Sequence, residues 1–315
     1  MNLLNRSSFL TLAAVASTAM SLQASVLLYE GFGYGLADNA NINGAAATGT
    51  GVSGSWTVNN SFGTFGSASS VYKTSGLSFG SNFITSGGSL QVNSRYDGGV
   101  NSVSTATVNL SNTATGTIWG SYLASFSIGN ANAGSFLNGI ATGSDGANSS
   151  LKAGINSNTV PGDRKLTNGY DNSATASATG FLFAPSTTYL FISRFTNVGI
   201  ALGGPTNGVA TTWALTLAQY ENWLATGATE AGLDSNFSLR VNDTATTGTF
   251  AFNNSGYLVL RSDAPDFNGA TMNANVDELR FGTDLADIYA VPEPSVFSSL
   301  VLAAGVIGFS RRRRN

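Results

Sequence analysis

The chain of 315 residues contains neither cysteine nor histidine. These two absences exclude disulfides, thiolate nucleophiles, Ser-His-Asp triads and metal sites built on imidazole or thiolate ligands. Charged residues are scarce as well, at 10% of the chain against a usual value of about 25%. An enzyme built from this chain would therefore depend on carboxylate, lysine, tyrosine or hydroxyl chemistry.

Positive charge is also scarce between the two ends of the chain. Residues 25–290 hold nine basic and sixteen acidic side chains, which gives this segment a net charge of −7. A negatively charged surface repels the phosphate backbone of nucleic acids. We therefore expect no nucleic-acid partner.

Glycine and short alternating runs dominate what is present, with 38 glycines and 42% hydrophobic residues. Apolar and polar residues alternate in segments bounded by Gly, Asn, Asp or Ser, which is typical of strands separated by turns. These segments are residues 89–93, 104–110, 117–126, 188–195, 236–241, 257–260 and 276–281. They predict an all-β antiparallel sandwich over residues 25–290. A parallel β-helix is the alternative, although the chain shows no sustained repeat.

Long helical periodicity is absent, and one short segment alone predicts a helix. Thr216 and Gln219 have the spacing of a capping box, and Leu217, Tyr220 and Leu224 would share one face. The competing interpretation continues the alternation that starts at Trp213 as a strand.

The first 24 residues have the features of a signal peptide. Arg6 supplies a positive start, residues 9–22 are largely apolar, and small residues gather before position 25. We expect export, with signal peptidase removing residues 1–24.

The C-terminus carries three elements in a fixed order. Pro292, Glu293 and Pro294 precede an apolar segment, residues 296–309, and a basic cluster ends the chain. The cluster is Arg311, Arg312, Arg313 and Arg314. A helix of this length spans about 24 Å, slightly less than the roughly 30 Å hydrocarbon core of a bilayer. The arginines would fix its cytoplasmic end, so the sequence predicts a membrane anchor with the bulk of the chain outside.

Residues 291–315 resemble the PEP-CTERM sorting signal of exported proteins from Gram-negative bacteria that make extracellular polysaccharide. The resemblance implies that a membrane exosortase recognises Pro292, Glu293 and Pro294, with the apolar helix as membrane stop and the arginines as topology anchor. It also implies transient anchoring in the inner membrane, followed by transfer to the cell surface or extracellular matrix. The resemblance covers about 25 residues and leaves the activity of the remainder open.

Residues 25–290 resemble concanavalin A-like jelly-roll domains, including laminin-G-like members, at three places. These are the opening LYEGFGY of residues 28–34 with GSW at 54–56, the central GTIWGSYL of 116–123, and the closing VDELRFGT of 276–283. The resemblance implies a sandwich whose first and last strands meet, and it favours extracellular polysaccharide as partner.

Aromatic side chains are the obvious candidates for sugar binding, because an exposed ring packs on the apolar face of a pyranose. The alternative is that aromatic residues fill the core of a sandwich, and the alternating run around Trp119 favours the core for that residue. Trp213 remains open between the two roles. The predicted sugar-binding residues are Trp56, Trp223, Tyr34 and Tyr170, each close to turns or polar loops.

Asp277 and Glu278 are neighbouring acids that would point to opposite faces of a strand, with Arg280 beyond them. One interpretation is a calcium ligand, and the other is an ion pair or a backbone-bonded aspartate that fixes the last strand. Asp163, Asp171, Asp263 and Asp266 are too sparse for a calcium loop. We expect no cofactor and no metal site, with calcium as the open alternative.

No pair of carboxylates has the compact Glu-x-Asp-x-x-Glu spacing of the retaining glycosidases on concanavalin-like folds, which need two carboxyl groups about 5 Å apart. We therefore predict no catalytic residues and no enzyme activity. The leading hypothesis is a lectin-like module that associates with extracellular polysaccharide. A purely structural matrix protein and a carbohydrate-active enzyme are the alternatives.

Overall fold

The computed structural model describes most of the chain between its two ends. The described residues are 26–61, 70–81, 83, 85–95, 102–129, 135–141, 149–156, 165–170, 176–178, 183–264 and 271–289. The predicted signal peptide and the predicted sorting signal lie outside these ranges, so both stay predictions. Among the described residues, we find no helix with the length and apolar character needed to cross a membrane.

Fifteen strands account for most of the described residues. They are β1 (Val26–Glu30), β2 (Val52–Ser61), β3 (Ser70–Lys73), β4 (Ser89–Arg95), β5 (Ser102–Leu110), β6 (Gly116–Gly129), β7 (Ser135–Ala141), β8 (Ser149–Asn156), β9 (Lys165–Tyr170), β10 (Ala176–Ala178), β11 (Thr188–Val198), β12 (Gly208–Leu215), β13 (Leu239–Ala245), β14 (Tyr257–Ala264) and β15 (Thr271–Gly282). Two short helices, α1 (Leu217–Ala225) and α2 (Glu230–Leu233), lie between β12 and β13. A 3₁₀ helix, Leu285–Asp287, follows β15.

The strands form two antiparallel sheets. The eight-stranded sheet has the order β13-β12-β11-β6-β15-β4-β3, and β1 pairs with β15 beside this path. The seven-stranded sheet has the order β10-β9-β8-β7-β14-β5-β2. Some neighbours in each sheet are far apart in the chain, such as β6 and β15 or β14 and β5, as the long crossovers of a jelly roll require. The predicted all-β sandwich is confirmed, and the β-helix alternative is wrong for this part of the chain.

The main core fills the space between the two sheets. Alternating side chains of both sheets point into it, and its centre is aromatic: the rings of Tyr122 and Phe191 stack with centroids 4.7 Å apart. A few polar side chains cross this layer. The hydroxyls of Ser94 and Ser262 lie 2.8 Å apart, and the Asn168 amide donates to backbone carbonyls of the opposite sheet. Pairing of these buried polar groups avoids the cost of leaving them without partners.

A second apolar cluster covers the other face of the eight-stranded sheet. Leu123, Ile192 and Trp213 point outward from this sheet and are fully buried beneath α1, the 3₁₀ helix and a segment that we call the strap, residues 74–81, 83 and 85–88. Helix α1 starts as predicted, because the Thr216 side chain accepts from the Gln219 backbone N–H and Gln219 bonds back to the Thr216 backbone. The strand interpretation of this segment is wrong, since β12 ends at Leu215.

The first and last strands meet, as the resemblance implies. Strand β1 pairs with β15, with Tyr29 opposite Arg280 and Glu30 opposite Leu279. A bulge in β15 between Asp277 and Arg280 interrupts the pairing with β6. Glu278 adopts a φ of 53° there, which is uncommon for a residue other than glycine. The expected alternation of Asp277 and Glu278 therefore fails, and both side chains are buried.

Candidate functional site

The outer face of the seven-stranded sheet is polar and has no apolar layer over it among the described residues. Ala106, Val108, Leu258 and Leu260 of β5 and β14 point into the core. The residues between them therefore point outward. The register of the strands arranges these outward positions in rows that cross the sheet. One row is Thr57, Thr107, Val259, Gly139 and Lys152. The next row includes Asn59, Thr105 and Arg261.

Burial varies across this outer face. Thr105, Thr107 and Lys152 in its middle are at most 2% exposed, whereas Asn109 and Thr57 towards the edge are exposed. The two threonine hydroxyls donate to backbone carbonyls of β2. The accessible groups of this face are therefore towards its edge, at Thr57 and Asn109, whereas its middle is buried.

Tyr257, Arg261 and Asp263 follow one another on the outer side of β14 and are partly accessible. Arg261 Nε donates to both carboxylate oxygens of Asp263, at 2.9 and 3.1 Å. This pair holds the guanidinium in one orientation, with its terminal nitrogens still able to donate to a ligand. Tyr257 lies opposite Asn109 in the register and supplies an aromatic ring at the edge of the face.

The acidic residues of the last strand form a different arrangement, which we call the clamp: Tyr29, Asp277, Glu278 and Arg280. Glu278 Oε1 accepts from the Ser86 backbone N–H at 2.6 Å and from Tyr29 Oη at 3.2 Å. Glu278 Oε2 accepts from Arg280 Nη2 at 2.6 Å. The guanidinium of Arg280 lies 4.8 Å from the centroid of the Tyr29 ring. All acceptor sites of Glu278 are thus directed into the protein.

Asp277 is fully buried in the clamp. Its two carboxyl oxygens accept from the backbone N–H groups of Leu77 and Glu278, both at 2.8 Å. Burial raises the pKa of Asp277 to about 8, and the charge of Glu278 adds to this rise, while the two backbone donors and Arg280 oppose it. Of the two interpretations from the sequence, the structure supports the backbone-bonded aspartate and the ion pair.

The predicted sugar-binding residues Trp56 and Tyr34 come together, but at the core. Trp56 is 1% exposed, and its Nε1 donates to Tyr34 Oη at 2.6 Å. Tyr34 Oη in turn donates to the buried carboxylate of Glu30 at 2.7 Å. Burial, with Glu30 beside it, raises the pKa of Tyr34 above its ordinary value. Trp56 offers no ring face to a sugar, which corrects the prediction for this residue, and the Tyr34 hydroxyl is engaged inside the protein.

Trp223 lies on α1 and is fully buried in the second apolar cluster. Its Nε1 donates to the Thr229 carbonyl, and its ring contacts Tyr289 edge to face. The prediction of an exposed stacking face is corrected here too, because the helix turns this ring towards the sheet. Tyr170 ends β9 opposite Leu151, and its side chain lies outside the described residues.

Trp119 and Trp213 stack on each other at 6.1 Å on the outer side of the eight-stranded sheet. They are 6% and 0% exposed, so the expectation that Trp119 is a core residue is confirmed. Arg194 and Arg240 lie over the two rings and pair with Glu230 and Asp234. Both tryptophans therefore stabilise the covered face.

Among the described residues, no group of three or more Asp or Glu side chains could hold a metal ion. In the clamp, each carboxyl oxygen of Asp277 accepts one backbone hydrogen bond. The calcium alternative stays a prediction.

The outer face of the seven-stranded sheet was missed as a site by sequence reasoning. The alternation of residues 257–260 predicts the strand but does not say which of its two sides meets solvent. The sequence does indicate the accessible side, because Arg261 and Asp263 fall on the same side of the strand as Tyr257 and Val259. Two opposite charges two residues apart on a strand indicate an accessible face.

No protein-family model matches the chain, and no curated protein is similar to it in sequence. Similar solved structures include the carbohydrate recognition domain of Emp47p, 8% identical, with a TM-score of 0.44 over 84% of this chain and 99% of that chain. An endo-beta-1,4-glucuronan lyase from the fungus Trichoderma reesei is 10% identical, with a TM-score of 0.42 over 81% and 98% of the two chains. A beta-glucanase from Bacillus licheniformis is 11% identical, with a TM-score of 0.38 over 84% and 100%. These likenesses concern the arrangement of strands and not an activity.

Proposed function

We propose that this chain is an exported protein that binds extracellular polysaccharide on the outer face of its seven-stranded sheet. One observation carries the proposal: the eight-stranded sheet has an apolar layer over its outer face, whereas the outer face of the seven-stranded sheet has accessible polar side chains at Asn59, Asn109, Tyr257 and Arg261. A polysaccharide is an extended ligand rich in hydroxyls, and accessible hydroxyl, amide and guanidinium groups suit such a ligand.

Tyr257 and Arg261 are the residues that we assign to recognition. The partly accessible ring of Tyr257 supplies a surface for the apolar side of a sugar. Arg261, oriented by Asp263, supplies donors to hydroxyl or carboxylate oxygens of the ligand. Asn59 and Asn109 extend the polar surface towards the edge strand β2.

Export and sorting form the second part of the proposal. It rests on the order of the Pro292-Glu293-Pro294 motif, the apolar segment and the terminal arginines, together with the apolar N-terminus. Intact-mass measurement on protein recovered from the producing cells tests this part. We expect loss of mass at both ends, near residue 24 and near Pro292, and a mature form that retains Arg311–Arg314 would contradict it.

The binding test compares two matched arginines on opposite faces of the molecule. In Arg261 and Arg240, Nε lies 2.9 Å from an aspartate oxygen, on the seven-stranded and the eight-stranded sheet respectively. We expect Arg261→Ala to weaken binding to the extracellular polysaccharide at least about tenfold, the effect of one lost charged hydrogen bond. Tyr257→Ala is expected to weaken binding through loss of its ring surface, and Arg240→Ala to leave binding unchanged. Equal losses in all three variants would contradict the assignment.

A carbohydrate-active enzyme is the second candidate function. Double displacement at a glycosidic bond needs two carboxylates, and Asp263 is the one carboxylate among the described outward positions of the seven-stranded sheet. Release of new reducing ends during the binding assay would favour the enzyme. Binding without release would favour the lectin-like function, and absence of both would favour a structural matrix protein.

A further inference from the structure

A small cavity lies in the main core, between the two sheets. Its wall includes Asn138 and Ala153 of the seven-stranded sheet and Tyr122, Ser193 and Phe281 of the eight-stranded sheet. Each of these residues is at most 4% exposed, so the cavity lies inside the protein. About 10 Å³ of it is open to the centre of a water molecule, which is enough room for one buried water.

Asn138 brings a polar group without a partner into this wall. The neighbouring residues on the core side of β7, Phe136 and Ile140, are apolar and belong to the main core. Asn138 Oδ1 is buried and accepts no hydrogen bond from the protein. An unpaired buried amide is costly, and buried water molecules typically bond to such polar groups. Asn138 therefore indicates a polar ligand at this point of the core.

Two hydroxyls of the opposite sheet also line the cavity. Ser193 Oγ lies 2.9 Å from Thr212 Oγ1. A serine hydroxyl has one donor and two acceptor sites, so this pairing leaves Ser193 able to bond a further group. Tyr122 Oη donates to the Ala153 carbonyl at 3.3 Å, and its lone pairs are left to accept. With the Asn138 amide, these hydroxyls supply three polar partners, the number that a buried water typically has.

We propose that the cavity is a binding site for one ordered water molecule, which joins the Asn138 amide of β7 to Ser193 of β11. This water extends hydrogen bonds that already cross the core. Thr212 Oγ1 accepts from the Asn168 amide at 3.3 Å, and the same amide donates to the Val241 carbonyl of edge strand β13 at 3.1 Å. The water therefore connects a central strand of one sheet to a polar network that reaches the edge of the other.

The site is separate from both outer faces of the sandwich. Polysaccharide bound on the outer face of the seven-stranded sheet would not touch it, so the inference does not rest on the proposed function. Hydrogen bonds through a bridging water are nearly as favourable in enthalpy as direct ones. The role of the water is therefore to hold the two sheets together at a point where their side chains do not meet.

Oxygen-17 relaxation dispersion of water, measured on the intact chain, tests the site. The method counts the water molecules that stay inside a protein much longer than water stays at its surface. Asn138→Leu replaces the amide by an apolar side chain of similar size. We expect this variant to hold one long-lived water molecule fewer than the wild type, because a cavity with an apolar wall stays dry.

Ser94→Ala is the matched control. It also removes a polar group of the core, a hydroxyl that pairs with Ser262 at 2.8 Å and lies outside the wall of the cavity. We expect Ser94→Ala to keep the wild-type number of long-lived water molecules. An equal number in the wild type and Asn138→Leu would overturn the proposal, and so would the same loss in Ser94→Ala.

A crystal structure of the wild-type protein decides if Asn138→Leu does not fold. A water molecule within about 3.2 Å of both the Asn138 amide and Ser193 Oγ would support the site. The absence of this water from a map that resolves other ordered water molecules would overturn it.

Discussion

The two sheets of the sandwich differ in what their outer faces meet. Strands of the eight-stranded sheet carry apolar side chains on both sides, and a layer made by α1, the strap and the 3₁₀ helix covers the outer one. Strands of the seven-stranded sheet carry apolar side chains on the core side and polar side chains on the other. The eight-stranded sheet is therefore covered on both sides, whereas the seven-stranded sheet has accessible polar side chains on its outer side, including Asn109, Tyr257 and Arg261.

The acidic residues on the two sheets also differ in their surroundings. The clamp carboxylates of the eight-stranded sheet are buried and fix a covering segment, whereas Asp263 on the seven-stranded sheet is partly accessible and orients Arg261. Titratable groups with raised pKa values therefore lie on the eight-stranded side of this molecule. Burial is the largest cause of the raised pKa values of Glu30 and Asp277.

The largest predicted effect comes from a substitution in the apolar layer that covers the eight-stranded sheet. Trp223→Ala removes a fully buried indole that also donates to the Thr229 carbonyl, so we expect a loss of about 3–5 kcal/mol in the free energy of unfolding. Tyr257→Ala on the other sheet is the comparison and should cost less than about 1 kcal/mol. Urea unfolding measures both, and equal losses would mean that the two outer faces are covered alike.

A glycine pair tests how closely the strap is seated. Gly87 has a φ of 77°, and a Cβ there would lie 2.6 Å from the Gly31 carbonyl oxygen, so we expect Gly87→Ala to cost about 1–3 kcal/mol. Gly33 is the control, because a Cβ at that position meets no atom within 4 Å. Gly33→Ala should change stability by less than about 0.5 kcal/mol. A Gly87→Ala variant as stable as Gly33→Ala would contradict the described seating of the strap.

The buried carboxyl groups predict a direction for the pH dependence of global stability. Burial raises the pKa values of Glu30 and Asp277 in the folded protein. The unfolded chain releases these protons near pH 4, so the folded state binds more protons and its stability falls as the pH rises towards about 8. Thermal unfolding between pH 5 and pH 8 measures this slope, and Glu30→Gln should reduce it. A stability that rises over this interval would contradict the burial of these groups.

The smallest predicted effects on stability concern two partly exposed ion pairs, Arg261–Asp263 and Arg240–Asp234. Arg261→Ala should cost less than about 1 kcal/mol, because partly exposed pairs contribute little. Arg240→Ala should cost slightly more, since Arg240 also lies over the Trp213 ring at 5.8 Å. Denaturant midpoints distinguish the two variants. A larger loss for Arg261→Ala would indicate that this residue stabilises the sandwich.

The sequence allows the fold class and several strands to be predicted, because alternation is a local signal. Strands β5, β6, β11 and β14 lie where their alternating runs predict them, and the meeting of β1 with β15 follows from the resemblance. Strands β7 to β9 were missed because Gly139, Gly154 and Gly169 interrupt their apolar pattern. The sequence also could not tell which sheet would be covered, since that depends on where the strap and α1 fold back. For the same reason, Trp56 and Trp223 could not be recognised as buried from the turns beside them.

The central claim is that the outer face of the seven-stranded sheet is the binding surface, and a footprint tests it most directly. Hydrogen–deuterium exchange of the intact protein is measured with and without the extracellular polysaccharide of the producing cells. We expect added protection in β14 and β5, around Tyr257, Arg261 and Thr107, and unchanged exchange in α1 and the strap. Protection confined to α1 and the strap would contradict the account, because it would place the ligand on the covered sheet.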